Sequence, residues 1–201
     1  MNNRSDAGRN VLGTTYYLDS NAFIDLVNDP SVETPMGFLY TAYLRGWIGI
    51  CITDTLGVER TKRFGEDLGV HDPSLWFFES MGPTVLGHSR CDSSVIGSVE
   101  DDERISDVLG VLHPARSRGS LSENDIRDGV HLATTLRYGA RLFVTRDKGI
   151  LKKTDELATK FELMVLTPKQ ARAQVEAAIA SARAREATRE VPGWLPTWPG
   201  H

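Results

Sequence analysis

Four acidic side chains, Asp19, Glu59, Asp128 and Asp147, stand at positions where a chain could perform hydrolytic chemistry. Asp19 directly follows Thr15-Tyr16-Tyr17-Leu18, a β-branched and aromatic run with the composition of a strand. Asp147 ends a second such stretch, Arg141-Leu142-Phe143-Val144-Thr145, with only Arg146 between. In a parallel sheet the carboxyl ends of the strands open on one edge, so two carboxylates remote in sequence meet there. That convergence is what a hard cation with oxygen ligands requires. Taken singly, each acid has an ordinary explanation. Aspartate is common in turns, and an acid near a helix start is favoured by the helix macrodipole.

Glu59 falls near the start of the helix expected after the second strand, and Asp128 near the start of the helix before Arg141. At about 100° per residue, Gly129, Leu132, Ala133 and Leu136 share one face, with Asp128, His131 and Thr135 at its margin. Asp128 is therefore expected at the edge of the buried surface. Asp125 is set apart, because Ser122-Glu123-Asn124-Asp125 matches a capping box and gives that acid a structural task. His131 is read as orienting a carboxylate or facing solvent in preference to acting as a general base. Arg146 and Lys148 beside Asp147, and Arg60, Lys62 and Arg63 beside Glu59, are placed to meet phosphates or simply to be solvated.

The elements that must position these residues alternate. Helices are expected from Ala22 to Val27, from about Glu33 to Arg45, over Val99 to Leu112, from Ser122 to about Tyr138 with Gly139 as terminator, and from Pro168 to about Arg189. Strands are expected at Thr15–Leu18, Trp47–Ile52, Pro83–Gly87, Arg141–Thr145 and Phe161–Leu166. The strands are continuously apolar, which indicates a mostly parallel sheet covered on both faces. The expected fold class is α/β, a three-layer α/β/α sandwich with a mainly parallel central sheet of about five strands. Residues 1–14 form a polar extension, 15–168 the domain with an enlarged middle at about 65–121, and 169–201 a C-terminal helix and a proline- and tryptophan-containing tail. Three prolines between Val191 and Gly200 exclude regular structure there.

The 201 residues, 40% hydrophobic and 25% charged, suit one globular domain and exclude wholesale disorder. A net charge of -4 and a pI near 5.7 argue against a protein that coats nucleic acid. They do not argue against phosphate at an acidic site once cations are bound there. Cys51 and Cys91 are expected to be reduced core residues, and no cysteine-based zinc site is expected. No apolar stretch approaches the roughly 18 to 20 residues of a membrane span, and the polar opening lacks the apolar segment of a secretory signal, so the expected location is the cytosol.

Two stretches resemble PIN domains. Leu18-Asp19-Ser20-Asn21-Ala22-Phe23 is similar to that family's opening strand-and-acid motif, where an aspartate is followed by a hydroxyl residue and often an asparagine. Asp128 to Asp147 is similar to its third acid, alanine-rich helix, glycine turn and strand ending in Thr-x-Asp. The family's second acid falls on Glu59 by order and context. The resemblance covers residues 15–60 and 122–168. The stretch between them is longer than in compact toxin members. The resemblance implies a metal-dependent endoribonuclease in which Asp19, Glu59, Asp128 and Asp147 are both catalytic and metal-holding, with Mg2+ or Mn2+ as cofactor. Ser20, Asn21, Thr145 and Arg146 would support those acids or contact RNA. It further implies an antitoxin protein as partner if the chain is a toxin, and homodimers, while the lack of a span-length apolar stretch leaves no association with membrane expected. Three alternatives stand beside it: a PIN-like domain that binds RNA or protein without cleaving, a nuclease acting on DNA, and a phosphatase of the haloacid dehalogenase type. The last wants a second aspartate where this chain has Asn21.

Overall fold

A computed structural model describes residues 10–53, 79–81, 83–84, 95–96, 98–139, 141–189, 193 and 195–198. Strand β1 (Thr15–Leu18) leads through helices α1 (Ser20–Asn28) and α2 (Pro35–Leu44) to β2 (Gly49–Thr53). Short strands follow at β3 (Glu79–Met81), β4 (Pro83–Thr84) and β5 (Val95–Ile96). Then come α3 (Val99–Leu112), α4 (Glu123–Arg137), β6 (Leu142–Val144), α5 (Lys148–Leu151), α6 (Thr154–Phe161), β7 (Met164–Leu166) and α7 (Pro168–Ala187).

The fold is α/β with an all-parallel sheet. Four strands, in the order β2-β1-β6-β7, form its body, and the three-residue β3 joins in parallel at the β2 edge. The mainly parallel sheet of about five strands expected from the sequence is thus an all-parallel sheet with a body of four strands and the short β3 at its edge. The strand expected at Pro83–Gly87 is not part of this sheet. Pro83–Thr84 instead pairs in parallel with Val95–Ile96 as a separate two-stranded unit. Proline has no N–H to donate to a ladder, which confines it to edges and strand starts. The last strand is also shorter than expected, because Phe161 closes α6 and pairing begins at Met164.

Alternate strand residues feed two cores, the physical reason the strands read as unbroken apolar runs. Tyr16, Leu18, Ile50 and Ile52 face the side packed by α1, α2 and α7. Tyr17, Cys51, Phe143 and Val165 face the side packed by α3, α4, α5 and α6. Cys51 is buried, and Cys91 lies outside the described residues. Gly139 (φ 70°) takes the left-handed turn that ends α4 and lets the chain enter β6.

The C-terminal segment lies on its own domain. The Trp198 ring lies 4.6 Å from that of Phe38 of α2, tilted by 42°, and Leu195 packs against the same core. Two arginines of α7 are engaged internally as well: Arg172 donates to the Glu33 carbonyl at 2.6 Å and lies over Phe38, and Arg183 lies over Trp47. No helix among the described residues is long and apolar enough to cross a membrane.

Candidate active site at the carboxyl edge of the sheet

The strand order puts β1 between β2, which follows it, and β6, which arrives much later. The carboxyl ends of β1 and β6 therefore flank a topological switch point, where open α/β sheets present a crevice. Asp19 sits at the end of β1, where its N–H donates to the Val144 carbonyl at 3.0 Å and prolongs the β1–β6 pairing by one residue. It is also the N-cap of α1, with Oδ1 accepting the Ser20 N–H at 2.7 Å. One residue thus ends a strand, starts a helix and holds a carboxylate at the edge.

That carboxylate is 4% exposed, so its charge is largely withdrawn from water. Such a charge persists only when donors replace the lost hydration. Asp19 Oδ2 accepts the Asn21 side-chain amide at 2.6 Å and the Thr145 hydroxyl at 2.5 Å. The fully buried Thr145 is the junction of the site. Besides donating to Asp19, its Oγ1 accepts from Asn21 Nδ2 at 3.2 Å and from the Asp147 N–H at 2.9 Å. Through one hydroxyl the ends of β1 and β6 share a hydrogen-bond network, and Asp147 is set two residues beyond. Asp147 caps α5, its Oδ1 accepting the Ile150 N–H at 2.9 Å. It is half-buried, and Oδ2 accepts no hydrogen bond from the described residues.

Arg146 is held from both ends of one helical turn of α1. Its N–H donates to Asn21 Oδ1 at 2.8 Å, and its guanidinium pairs with Asp25 at 2.9 Å. Asp25 escaped the sequence reading, although the spacing Asn21-x-x-x-Asp25 puts both side chains on one face of α1. On the other side of Asp19, Ser20 Oγ lies 3.5 Å from His131 Nε2 of α4. His131 is 1% exposed, which removes the expectation that it faces solvent and leaves it facing the α1 start. Asp128, half-buried, lies one turn earlier on the same helix, at the margin of its buried face as expected.

Asp19, Ser20, Asn21, Thr145, Arg146 and Asp147 are thus brought together, and Asp128 stands on the helix whose His131 touches them. Glu59, with Arg60, Lys62 and Arg63, lies outside the described residues. Among the described residues no three carboxylate, imidazole or thiol groups gather as a metal-holding set. Asp125 performs the capping task its position implies. Its carboxylate accepts from Ser122 and pairs with Arg116, and the Ser122 hydrogen bonds hold its pKa below the usual carboxylate range.

Fold and site together define a class: a parallel α/β domain with an acid, hydroxyl and amide network at its switch point. Compared with protein-family models the chain matches none, and compared with curated proteins it has no match.

Proposed function

We propose that this chain is a metal-dependent endoribonuclease of the PIN type, a three-layer α/β/α sandwich that hydrolyses RNA phosphodiester bonds at the carboxyl edge of its sheet. The observation that carries this reading is the Thr145 hydroxyl, which binds Asp19 Oδ2 at 2.5 Å and the Asp147 N–H at 2.9 Å. It couples the acid after β1 to the acid after β6, the pair that the opening and Thr-x-Asp motifs single out.

The donor set suits magnesium or manganese, which take carboxylate oxygen in preference to soft ligands. Asp147 keeps Oδ2 without a hydrogen-bond partner among the described residues. Asp19 and Asp147 would hold the ion, joined by Glu59 and Asp128. When bound, it supplies polarisation of a phosphate oxygen and of an attacking water. The chain's own groups do the rest. Asn21 and Thr145 orient Asp19 so that its oxygens do not rotate away. Arg146, 55% exposed in its side chain, is placed for a substrate phosphate once it leaves Asp25. Work in the cytoplasm, homodimerisation and control by an antitoxin belong to the same proposal.

The test is a calorimetric titration of manganese into wild type and Asp128→Asn, with the same samples assayed on mixed-sequence RNA. Asp19→Asn and Asp147→Asn are assayed beside them. The expected result is binding that weakens in Asp128→Asn, cleavage stopped by chelator, and no cleavage by the other two variants. Full activity of Asp19→Asn or Asp147→Asn with metal present overturns the site, and absence of metal binding and cleavage in wild type overturns the enzyme.

A further inference from the structure

A cavity of about 460 Å³ opens beside this edge, between α1, the start of α2 and the β7–α7 junction. Its walls are mainly apolar, with the buried side chains of Met36 and Pro168 and the half-buried Pro35 among them. Volume and lining match small-molecule sites, where an apolar chamber carries a few polar groups that fix orientation. The polar groups here are of two kinds. Arg146 and Lys169 bring cations, and Lys169 forms no ion pair among the described residues. Asn28 and Asp29 bring an exposed amide and an exposed carboxylate, and Asp25, paired with Arg146, brings a second carboxylate.

A simple anion would leave the apolar walls without a counterpart and would face the carboxylates of Asp25 and Asp29, the latter already accepting the Ser31 N–H at 3.1 Å. A purely apolar ligand would leave the cations and the amide without one. A nucleotide meets all three, with a flat ring for the walls, base-edge donors and acceptors for Asn28 and Asp29, and a phosphate for Lys169 and Arg146. Arg146 also makes the cavity continuous with the acid network, because its N–H is bonded to Asn21 Oδ1 at 2.8 Å while its side chain reaches the cavity.

We propose that this cavity is a ribonucleotide subsite, which takes the base and phosphate of a nucleotide unit neighbouring the scissile bond. The proposal rests on the nuclease reading for the identity of its ligand, and it specifies single-stranded RNA, since only an unpaired, unstacked base can lay its face against the apolar walls. Arg146 exchanges Asp25 for phosphate when the strand is seated. Guidance of the strand then comes from a pocket on the α1–α2 side of the site.

The experiment follows the Met36 methyl resonance of the intact chain, labelled on methionine methyls and identified with Met36→Leu, in chelator without divalent metal. Each of the four ribonucleoside 5′-monophosphates is titrated, with ribose 5-phosphate as the probe lacking a base. At least one nucleotide is expected to shift the Met36 methyl saturably where ribose 5-phosphate does not. Its apparent affinity should fall roughly five- to tenfold in Asn28→Ala/Lys169→Ala. A shift of equal size with ribose 5-phosphate, no shift with any nucleotide, or unchanged affinity in the double variant overturns the subsite. RNA cleavage assayed in parallel separates the two readings. Cleavage without a nucleotide shift removes the subsite and spares the nuclease, and a nucleotide shift without cleavage removes the nuclease and keeps a nucleotide pocket.

Discussion

Thr145 shows how much one side chain organises. Its hydroxyl is donor to Asp19 and acceptor for Asn21 and the Asp147 N–H, in a position with no solvent exposure. Valine would fill the same space and serve none of these partners. Thr145→Val should therefore lose about 1–3 kcal/mol, the cost of leaving buried polar groups unsatisfied, whereas Thr145→Ser keeps most of the network. Urea unfolding of both variants checks this, and equal stability of the two would mean that the hydroxyl is not the organising group. Under the proposed function, cleavage by Thr145→Val also falls roughly 10- to 100-fold. The Thr-x-Asp spacing made Thr145 and Asp147 legible in sequence. Asp25 was not, because an acid in the middle of a helix carries no signal until its partner Arg146 is placed opposite.

At the scale of elements, two contacts decide how helices seat. A Cβ on Gly37 would lie 2.0 Å from the backbone carbonyl oxygen of Ser31, which cannot rotate aside as a side chain does. Gly37→Ala should consequently destabilise by about 1–3 kcal/mol despite the better helix propensity of alanine, and a thermal midpoint at or above that of wild type would contradict the close approach. The second contact joins α3 to α4. Asp101 is buried at the start of α3, in a capping box with Ser98, and pairs with Arg104 at 2.9 Å and with Arg137 at the end of α4. Burial raises its pKa, but the Ser98 hydrogen bonds and the two guanidinium groups outweigh it and hold the value below that of a free carboxylate. A lowered folded-state pKa contributes stability that is present above the unfolded value of about 3.9 and lost as pH falls through the folded one. Asp101→Asn should flatten the acid limb of the stability curve in that window. Denaturant midpoints between acid and neutral pH measure it, and an unchanged acid limb would remove Asp101 as its source.

For the whole molecule, the two faces of the sheet carry separate tasks. One core includes Tyr16, whose hydroxyl donates to Gln174 of α7 at 3.2 Å and whose burial pushes its pKa up to about 12. A raised value contributes stability that is complete below the unfolded tyrosine pKa near 10 and lost as pH rises through about 12. Tyr16→Phe should remove that part of the alkaline decline, as seen in denaturant midpoints across the same range. The same face is closed by the tail. Trp198→Ala should lower stability by about 1–3 kcal/mol through loss of the Phe38 ring contact and exposure of the apolar surface beneath it. Calorimetric unfolding tests this, and a neutral effect would mean that the tail does not cover α2 in solution.

Sequence by itself determined the local elements, since their causes are local. The helix cap at Ser122, the Gly139 terminator, the Val99–Leu112 helix and the apolar strands β1, β2 and β6 all follow from neighbours within a few residues. It also determined that Asp19 and Asp147 follow strands, from which their convergence in a parallel sheet was inferred. Only the tertiary structure decided what depends on distant partners. Pro83–Thr84 left the central sheet because its pairing partner is Val95–Ile96, and His131 turned inward because Ser20 lies opposite. Arg146 met both Asn21 and Asp25 because β6 docks beside β1, and Trp198 came to rest on Phe38. Pairing between residues more than 100 positions apart is set by the packing of whole elements, and that free energy has no local signature in the chain.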